Sequence, residues 1–515
     1  MHRRVTLLLR VVLLILAALP LTTTAQQTEV YFPGETWRTS TPEEQGISSE
    51  RLAQMLAFIR DQDYPLHSMT IIRHGYVVLD AYFHPYTADT RHNIYSATKS
   101  FTSTLVGIAI EQGYLPGIEA RLLDLLPELD NDSLDPRVYD ITLENLLQMH
   151  TGFNCPEVGV PVDDPAWIAF METLPMADDP GAEFRYCAVA SHLLSQVIER
   201  ATGMSAREFA EAALFAPLGI SDVNWPDAPD GHTYGHSEMR LRPHDMARLG
   251  YLFLHNGQWA GETIVSPEWV TAATTADENV PGMRWGYGYQ WWVMPAGYYA
   301  AMGYADQFIM VHPELDMVVV FTKEIGSNPS STSGLPVTLM DSWISPAVEA
   351  DNALPANADS TAACAAHLEA LAAPAPEPFT LPAFAQTLSG HSCLVDENPD
   401  GLESIMVTFD EPAGAAMLDL QYAENELAIP VGLDGVYRLT DVTPALEAYF
   451  GAGEALAARG LWRNDTRFVI DFHVVGDVDP QDITIRQDED GTVNVVLTSI
   501  RIEGRSTDRY TCHLE

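Results

Sequence analysis

Lysine is almost absent from this sequence of 515 residues. Only Lys99 and Lys323 are lysines, and the other 25 basic residues are arginines. Acidic residues number 71, which gives a formal net charge of −44 at pH 7. A surface of this charge repels nucleic acid and anionic lipid, so neither is an expected partner. We interpret the acidity as a solvated exterior rather than as a cation-binding feature.

The sequence also lacks metal-ligand spacings and, after residue 25, any apolar run long enough to span a bilayer. No CxxC or HExxH motif occurs and the histidines are scattered, so no metal or other cofactor is expected. Residues 1–25 combine a basic start, the short apolar core VVLLILAAL and small residues before Gln26. This pattern predicts a cleaved signal peptide. We expect a secreted protein, periplasmic or extracellular, that does not insert into a membrane after cleavage.

Cysteine is scarce as well, and its few copies suit an oxidising compartment in which disulfides persist. The five cysteines are Cys155, Cys187, Cys364, Cys393 and Cys512. An odd number leaves at least one of them free, and sequence alone leaves the pairing open. Cys393 and Cys512, which flank the C-terminal region, are the first choice of pair.

Hydrophobic patterning divides the chain after the signal peptide into three regions. Between residues 40 and 345, helical patterns mix with short apolar runs, which predicts an α/β (α+β) domain. Residues 346–385 are rich in Ala and Pro, which is typical of a linker, with one helix around Cys364. From residue 386 the period is two, as in TRFVIDFHVV, which predicts a small all-β sandwich or barrel. The predicted domains are 26–345, 346–385 and 386–515.

The lysine at position 99 stands in the motif YSATKS, at the start of an apolar pattern with helical spacing. Ser96 and Lys99 are three residues apart, so their side chains share one face of the first helical turn. A serine hydroxyl needs a neighbouring base to become a nucleophile, and an amine whose pKa is depressed by burial can be that base. Arginine cannot, because its guanidinium keeps its proton in proteins. The pair therefore predicts nucleophilic catalysis.

Lys323, without a serine three residues before it, is interpreted as a surface charge.

A tyrosine follows about 90 residues later in PGAEFRYCAVASHLLS. A turn at Pro180 and Gly181 is expected to place Tyr186 just before a helix. A lysine ammonium beside this phenol favours its anionic form, so Tyr186 is a candidate proton relay between Ser96, Lys99 and a leaving group.

Together these motifs resemble the serine β-lactamase-related hydrolases: class C β-lactamases, D-alanyl-D-alanine carboxypeptidases, esterases and 6-aminohexanoate-oligomer hydrolases. The resemblance covers residues 40–345 and includes ITLENLLQMHTGF, LRPHDMARLGYLFLHNGQWAGETIVSPEWV, WGYGYQWWV and MGYADQFIMVHPELDMVVVFT. It implies a five-stranded antiparallel sheet flanked by helices, a helical subdomain and a site in the cleft between them. It also implies Ser96 as the acylated nucleophile, Lys99 as its base partner and Tyr186 as the second proton carrier.

A third family element, a Lys-Thr-Gly-like triplet on a strand beside the site, matches Ala301, Met302 and Gly303 here. By resemblance, Gly303 and Ala301 contact substrate, and the N–H groups of Ser96 and Tyr304 form the oxyanion hole. The cation that binds a substrate carboxylate is missing. An asparagine two residues after the tyrosine is missing too, because Ala188 stands there. Both departures favour ester or amide substrates without a carboxylate, with Arg284 and His236 left as alternative sources of the charge.

Several other residues have competing interpretations. The aromatics from Trp285 to Trp292 are predicted either to form strand core or to wall an acyl pocket, with Trp285 as a substrate contact. His150 and His236 are more often structural in such positions. Cys155 could approach Cys187 and brace the site. Neither cysteine resembles a nucleophile, because no basic neighbour lowers its pKa.

The sequence thus predicts an exported serine hydrolase that acts through an acyl-enzyme on a small ester, amide or peptide substrate. One alternative is β-lactamase or D-alanyl-D-alanine carboxypeptidase activity. Another is a non-catalytic binding or sensor protein, in which Ala305 and Asp306, at positions that many relatives fill with glycine, obstruct the oxyanion hole. The β domain shows no catalytic constellation. It resembles appended lipocalin-like domains, which implies structural support, substrate guidance or a small apolar ligand. The oligomeric state stays open.

Overall fold

One mixed sheet of eight strands organises the hydrolase region. The computed structural model describes residues 30–156, 160–276, 280–326, 334–396, 398, 401–501 and 504–514, so the predicted signal peptide lies outside the described residues. In spatial order the strands are Arg38–Thr39, Tyr76–Tyr82, Leu66–Arg73, Met317–Lys323, Gln307–His312, Tyr299–Gly303, Trp292–Val293 and Gly286–Tyr287. The five long central strands are antiparallel, as the resemblance implies. Three two-residue strands extend this sheet, and the outermost pairing, to Arg38–Thr39, is parallel.

Helices cover both faces of the sheet. The α-helices of the hydrolase region are Ser49–Asp61, Thr98–Glu111, Leu122–Leu125, Leu143–Leu147, Pro165–Thr173, Ala188–Thr202, Ala206–Ala210, Ala216–Leu218, Pro243–Leu254, Pro267–Ala273, Leu335–Leu339 and Ser345–Ala347. Because both faces are covered, every residue of Gln307–His312 is buried. Ile309 and Val311 face one core, and Phe308 and Met310 face the other.

The helix Thr98–Glu111 lies inside the domain and is buried on all sides as far as Ala109. Its many hydroxyls have partners on neighbouring backbone. Ser100 Oγ donates to the carbonyl oxygen of Gln290 and Ser103 Oγ to that of Tyr289, both at 2.7 Å, and Thr102 Oγ1 donates to that of Gly235 at 2.8 Å. These bonds satisfy polar groups that burial would otherwise penalise, and they fix the helix that carries Lys99.

In the described residues, the C-terminal region is a sheet of ten strands, nine of which close into a barrel while Arg438–Asp441 pairs with one of them beside the closure, so the region is a barrel rather than a sandwich. In spatial order the ten strands are Glu426–Gly432, Ala415–Tyr422, Leu402–Asp410, Ser392–Val395, Gly504–Leu514, Val493–Arg501, Gln481–Gln487, Arg467–Val474, Ala455–Asn464 and Arg438–Asp441. A pairing of Gly432 with Arg459 closes the ring. The interior is filled by apolar side chains, and the alternating residues of TRFVIDFHVV, from Phe468 to Val474, are among them. The helices Ala383–Leu388 and Pro444–Phe450 accompany the barrel.

The cysteines pair as two disulfides. Cys393 joins Cys512 across neighbouring barrel strands, as the first choice from sequence, and Cys155 joins Cys187 in the hydrolase region. Cys364 is free and buried. It lies in a helix, Ala358–Ala372, within the Ala/Pro-rich segment, and its thiol donates to the carbonyl oxygen of Ser49 at 3.7 Å. This helix therefore packs on the hydrolase region.

The barrel and the hydrolase region are in direct contact and belong to one compact unit that begins at Phe32. Arg91 Nε contacts Glu454 Oε1 at 2.8 Å, and the N–H of Ile325 donates to the carbonyl oxygen of Val478 at 3.0 Å. Glu324 lies between His67 and His473, and it hydrogen-bonds His473. The domain boundaries drawn from the sequence stay a prediction. In the part of the chain that the structure describes, no helix is long and apolar enough to cross a membrane.

Candidate active site

Ser96 is the middle residue of a tight 3-10 turn, Tyr95–Ala97, that leads directly into the helix Thr98–Glu111. Tyr95 has φ of +46°, in the left-handed region that costs free energy for a residue with a side chain. Asn93 Oδ1 accepts a hydrogen bond from the N–H of Tyr95 at 3.0 Å and so helps to hold this conformation. The turn places Ser96 at the helix N-terminus, where free N–H groups favour developing negative charge.

Lys99 lies next to Ser96, as the motif predicts. Its Nζ is 2.9 Å from Ser96 Oγ and donates to the carbonyl oxygen of His236 at 2.8 Å. Only 2% of Lys99 is exposed, and burial lowers its pKa to about 7. The amine is therefore neutral in a substantial fraction of molecules at neutral pH. In that state its lone pair can accept the Ser96 proton.

Tyr186 completes this group. It precedes the helix Ala188–Thr202, and the disulfide of the intervening Cys187 to Cys155 ties that helix start to a neighbouring loop. Lys99 Nζ is 5.1 Å from the centre of the Tyr186 ring, and the phenol hydrogen-bonds Ser96. Burial raises the pKa of Tyr186 to about 12, against the expectation that the lysine favours the phenolate. Tyr186 is thus a neutral phenol, which can donate one hydrogen bond and accept another and so pass a proton on as it receives one.

The strand Tyr299–Gly303 ends beside the Ser96 turn. A Cβ on Gly303 would lie 2.0 Å from the carbonyl oxygen of Ile94, so only glycine permits this approach of strand to turn. Tyr304 follows and lines the same cleft as Ser96. Ala301 is fully buried in the core and does not line the cleft, so no side chain replaces the family's cation there.

Ala305 and Asp306 do not block this end of the site. Both have positive φ, +57° and +64°, so they adopt the backbone conformation for which glycine is usual. The Asp306 carboxylate accepts a hydrogen bond from the N–H of Gly334 at 2.9 Å and lies 3.5 Å from Lys323 Nζ. Neither residue lines the cleft.

Lys323 is not the surface charge that its sequence context indicates. Its side chain is 2% exposed, and its ammonium faces Asp306 and donates to the carbonyl oxygen of Glu324 at 2.8 Å. A buried charge needs such a counterion. The two lysines thus differ in kind: Lys323 has a carboxylate partner, whereas the partners of Lys99 are a hydroxyl and a carbonyl oxygen.

A cleft of about 430 Å³ opens over Ser96, Lys99 and Tyr186. Its hydrolase-region wall includes Ala188, at the position of the missing asparagine, and Glu238. The opposite wall comes from the barrel, which sequence reasoning did not place at the site. The barrel residues that line the cleft are Phe450, Gly451, Val474, Asp477, Asp479 and Gln481. No local motif marks them, because their position depends on contacts across several hundred residues.

Of the other residues that the sequence singled out, some line the cleft and others do not. Trp292 stacks on Tyr186 with ring centres 6.0 Å apart, and Trp285 packs behind Trp292, outside the cleft lining. His236 lines the cleft and supplies the carbonyl oxygen that contacts Lys99. Burial holds the pKa of its ring well below the usual value, so it brings no positive charge. His150 and the exposed Arg284 do not line the cleft.

The lowered pKa of Lys99 predicts how catalysis depends on pH. If neutral Lys99 is the base, kcat/KM rises tenfold per pH unit in acid, bends near pH 7 and is flat above it. Tyr186, with a pKa of about 12, and the neutral His236 ring add no inflection in between. The measurement is a pH–rate profile from pH 5.5 to 9 with a neutral ester. A rate that keeps rising tenfold per pH unit up to pH 9 without a bend, as a lysine with the ordinary pKa of about 10.4 requires, would contradict the assignment.

A cleft in which a half-buried serine and tyrosine meet a buried lysine, in a domain built on a helix-flanked, mainly antiparallel sheet, defines a serine hydrolase of the β-lactamase type. The Beta-lactamase family model matches residues 51–332, more than half of the chain. The chain belongs to this family and is a hydrolase related to β-lactamases.

The individual relatives have low sequence identity to this chain. The chain is 25% identical over 312 residues to a 6-aminohexanoate-dimer hydrolase of Paenarthrobacter ureafaciens, a match that covers 55% of this chain and 79% of that one. Among solved structures, an octameric penicillin-binding protein homologue from Pyrococcus abyssi is 17% identical with a TM-score of 0.46, covering 90% of this chain and 99% of its own. EstCE1, described as a hydrolase with promiscuous acyltransferase activity, is 17% identical with a TM-score of 0.48 and covers 59% and 99%.

Proposed function

We propose that the protein is an exported serine hydrolase that cleaves esters or amides without a carboxylate next to the scissile bond, through an acyl-enzyme on Ser96. The observation that carries the proposal is the contact of 2.9 Å between Ser96 Oγ and a lysine whose pKa burial lowers to about 7. Export is supported by the signal-like first 25 residues and by two disulfides.

In this mechanism neutral Lys99 takes the Ser96 proton as Oγ attacks the carbonyl carbon. The N–H groups of Ser96 and Tyr304 stabilise the oxyanion that develops. The carbonyl then re-forms, the bond to the leaving group breaks, and Tyr186 passes a proton to that group and regains one from Lys99. Water attacks the acyl-enzyme in the same way, which releases the acid and returns the proton to Ser96.

The substrate class follows from two positions in the cleft region. Ala301 is buried and carries no charge, and Ala188 lines the cleft without an amide. A penicillin or a peptide C-terminus would therefore find no cation for its carboxylate at position 301 and no amide for its carbonyl at position 188. The relative named as a hydrolase of the 6-aminohexanoate dimer supports an amide as one alternative.

A side-by-side rate panel tests this proposal. The substrates are p-nitrophenyl butyrate, nitrocefin, a D-alanyl-D-alanine peptide and a linear amide oligomer. We expect the highest kcat/KM for the ester. A charge-assisted hydrogen bond contributes about 1.5 to 3 kcal/mol, so its loss lowers rates for the carboxylate substrates roughly 10- to 150-fold.

Two results would contradict the proposal. Faster hydrolysis of nitrocefin or of the dipeptide than of the ester would mean that a carboxylate site exists elsewhere in the cleft. Slow acylation without multiple turnover on any substrate would favour a sensor, although the contacts of Asp306 give no support to an obstructed oxyanion hole.

A further inference from the structure

A turn of the barrel docks directly on the segment that leads to Ser96. We call residues 475–481 the barrel turn. The N–H of Asn93 donates to the carbonyl oxygen of Gly476 at 2.8 Å. Gly476 has φ of +92°, and a Cβ there would lie 2.2 Å from the carbonyl oxygen of Arg91. Only glycine allows both the conformation and the approach, so the sequence of the barrel is adapted to this contact.

Asp477, the next residue, makes two bonds to the hydrolase region. Its Oδ1 accepts from the Tyr95 hydroxyl at 2.7 Å, and its Oδ2 lies 3.1 Å from Arg240 Nη2. Arg240 belongs to the short strand Arg240–Leu241, which pairs with His92–Asn93. The segment just before Ser96 is therefore held by the barrel both directly and through its neighbouring strand.

Tyr95 connects the contacts of Asp477 to the nucleophile Ser96. It directly precedes Ser96 in the chain, and its positive φ is a strained conformation that surrounding contacts must maintain. Burial and the nearby Asp477 raise the pKa of its phenol well above the usual value, so the hydroxyl stays a donor. Removing the Asp477 carboxylate would take away the partner of the Tyr95 hydroxyl and loosen the turn that sets the position of Ser96 Oγ, although the Tyr95 ring still packs against Tyr304.

The barrel turn also sets the charge of the cleft. Asp477 and Asp479 line it from the barrel, and Glu238 lines it from the hydrolase region. Arg240 balances Asp477, and burial raises the pKa of Glu238. Of the basic residues in the lining, Lys99 has a lowered pKa that leaves it only partly charged at pH 7, and burial keeps the His236 ring neutral. The lining thus holds three carboxylates against one amine that is only partly charged, which favours a positively charged substrate group over a carboxylate.

We propose that the barrel turn is part of the active site: Asp477 is a positioning residue that holds the Ser96 turn through Tyr95, and the carboxylates of the cleft select acyl groups that carry a positive charge over those that carry a carboxylate. This inference rests on the proposed ester or amide hydrolysis. It assigns to the C-terminal barrel a role in specificity that its sequence does not reveal.

A double-mutant cycle tests the positioning role on the full chain. We expect Tyr95→Phe and Asp477→Ala each to lower kcat for 4-nitrophenyl hexanoate roughly tenfold with little change in KM, and the double variant to be no slower than either. Glu454→Ala is the matched control, since Glu454 also pairs with an arginine across the interface but does not line the cleft. Its kcat should equal that of the wild type. Thermal unfolding of each variant is recorded beside the kinetics. If Asp477→Ala fails to fold, the kcat of Tyr95→Phe, which removes one hydroxyl, tests the positioning role by itself.

Independent, additive losses in the two single variants would overturn the positioning role. So would a loss of kcat in Glu454→Ala as large as that in Asp477→Ala, because the effect would then be one of domain docking in general.

A series of 4-nitrophenyl esters tests the charge selection. The acyl groups are hexanoate, 6-(trimethylammonio)hexanoate and adipate with one free carboxylate. We expect kcat/KM to fall in the order ammonium, neutral, carboxylate, roughly tenfold from end to end. Asp479→Asn should reduce this ratio, whereas Asp434→Asn, which removes a carboxylate paired with Arg438 outside the cleft lining, should not.

The rate with the neutral ester distinguishes a failure of the proposed function from a failure of the charge selection. If the wild type does not hydrolyse hexanoate, the proposed function fails. If it does, but the ratio between charged esters is flat, reversed or insensitive to Asp479→Asn, the charge selection fails and the hydrolase remains.

Discussion

Ser96→Ala is expected to lower kcat for p-nitrophenyl butyrate roughly 10⁴- to 10⁶-fold while the protein stays folded. The hydroxyl is the only group that the proposed acyl-enzyme uses as a nucleophile, and Lys99 and Tyr186 converge on it. Removing one oxygen from a half-buried side chain leaves the surrounding packing in place, so the loss should be chemical rather than structural. Steady-state kinetics and thermal unfolding of the same preparation measure the two effects separately.

A fluorophosphonate label and a second serine variant make this prediction specific. Intact-mass analysis should show one adduct on the wild type and none on Ser96→Ala. Ser103→Ala is the matched control, because Ser103 lies on the same helix and its Oγ donates to the carbonyl oxygen of Tyr289. It should lose about 1 kcal/mol of stability and keep its label. A wild type that is not labelled, under conditions that label a known serine hydrolase, would count heavily against an acyl-enzyme on Ser96.

Local patterns predicted the parts of this molecule that depend on local chemistry. Ser96 and Lys99 share a helical face because they are three residues apart, and that spacing is visible in the sequence. Period-two patterning predicted an all-β C-terminal region because alternate residues such as Phe468 and Ile470 must fill one interior. The resemblance of the motifs supplied the family and the five central strands.

The errors arose where distant segments meet. Lys323 resembles a surface lysine until Asp306, 17 positions earlier, is placed 3.5 Å away by the sheet. Tyr186 was expected to ionise readily beside an ammonium, but burial both neutralises Lys99 in part and raises the pKa of the phenol. Trp285 is not in the cleft lining: it contacts Trp292, which in turn stacks on Tyr186, and no periodicity reveals this order.

The barrel wall of the cleft is the largest feature that the sequence did not predict. Asp477 contacts Tyr95 although 382 positions separate them. Nothing in the surrounding stretch VVGDVDPQD resembles a catalytic motif, since its residues act by where the barrel docks rather than by their mutual spacing. Docking is decided by a surface that includes Gly476, whose need for a positive φ appears only in three dimensions.

Lys99→Arg is expected to lower kcat/KM by about 10²- to 10⁴-fold although the positive charge is kept. The lysine acts by giving up its proton, which burial makes possible near pH 7 and which a guanidinium does not do in proteins. A purely electrostatic role, in which the cation only stabilises the oxyanion, predicts the opposite result, because arginine supplies that charge at every pH. The pH–rate profile of any residual activity should also lose the inflection near pH 7.

Two comparisons decide between these roles. Lys99→Ala should be about as slow as Lys99→Arg and should regain rate when a small primary amine is added, because the cavity left by the side chain can admit an external base. Lys323→Arg makes the same exchange at the other lysine, where Asp306 neutralises the charge and no proton transfer is proposed, so its kcat should stay close to that of the wild type. Substantial activity in Lys99→Arg, with the wild-type pH profile, would show that Lys99 acts as a charge and that another group is the base for Ser96.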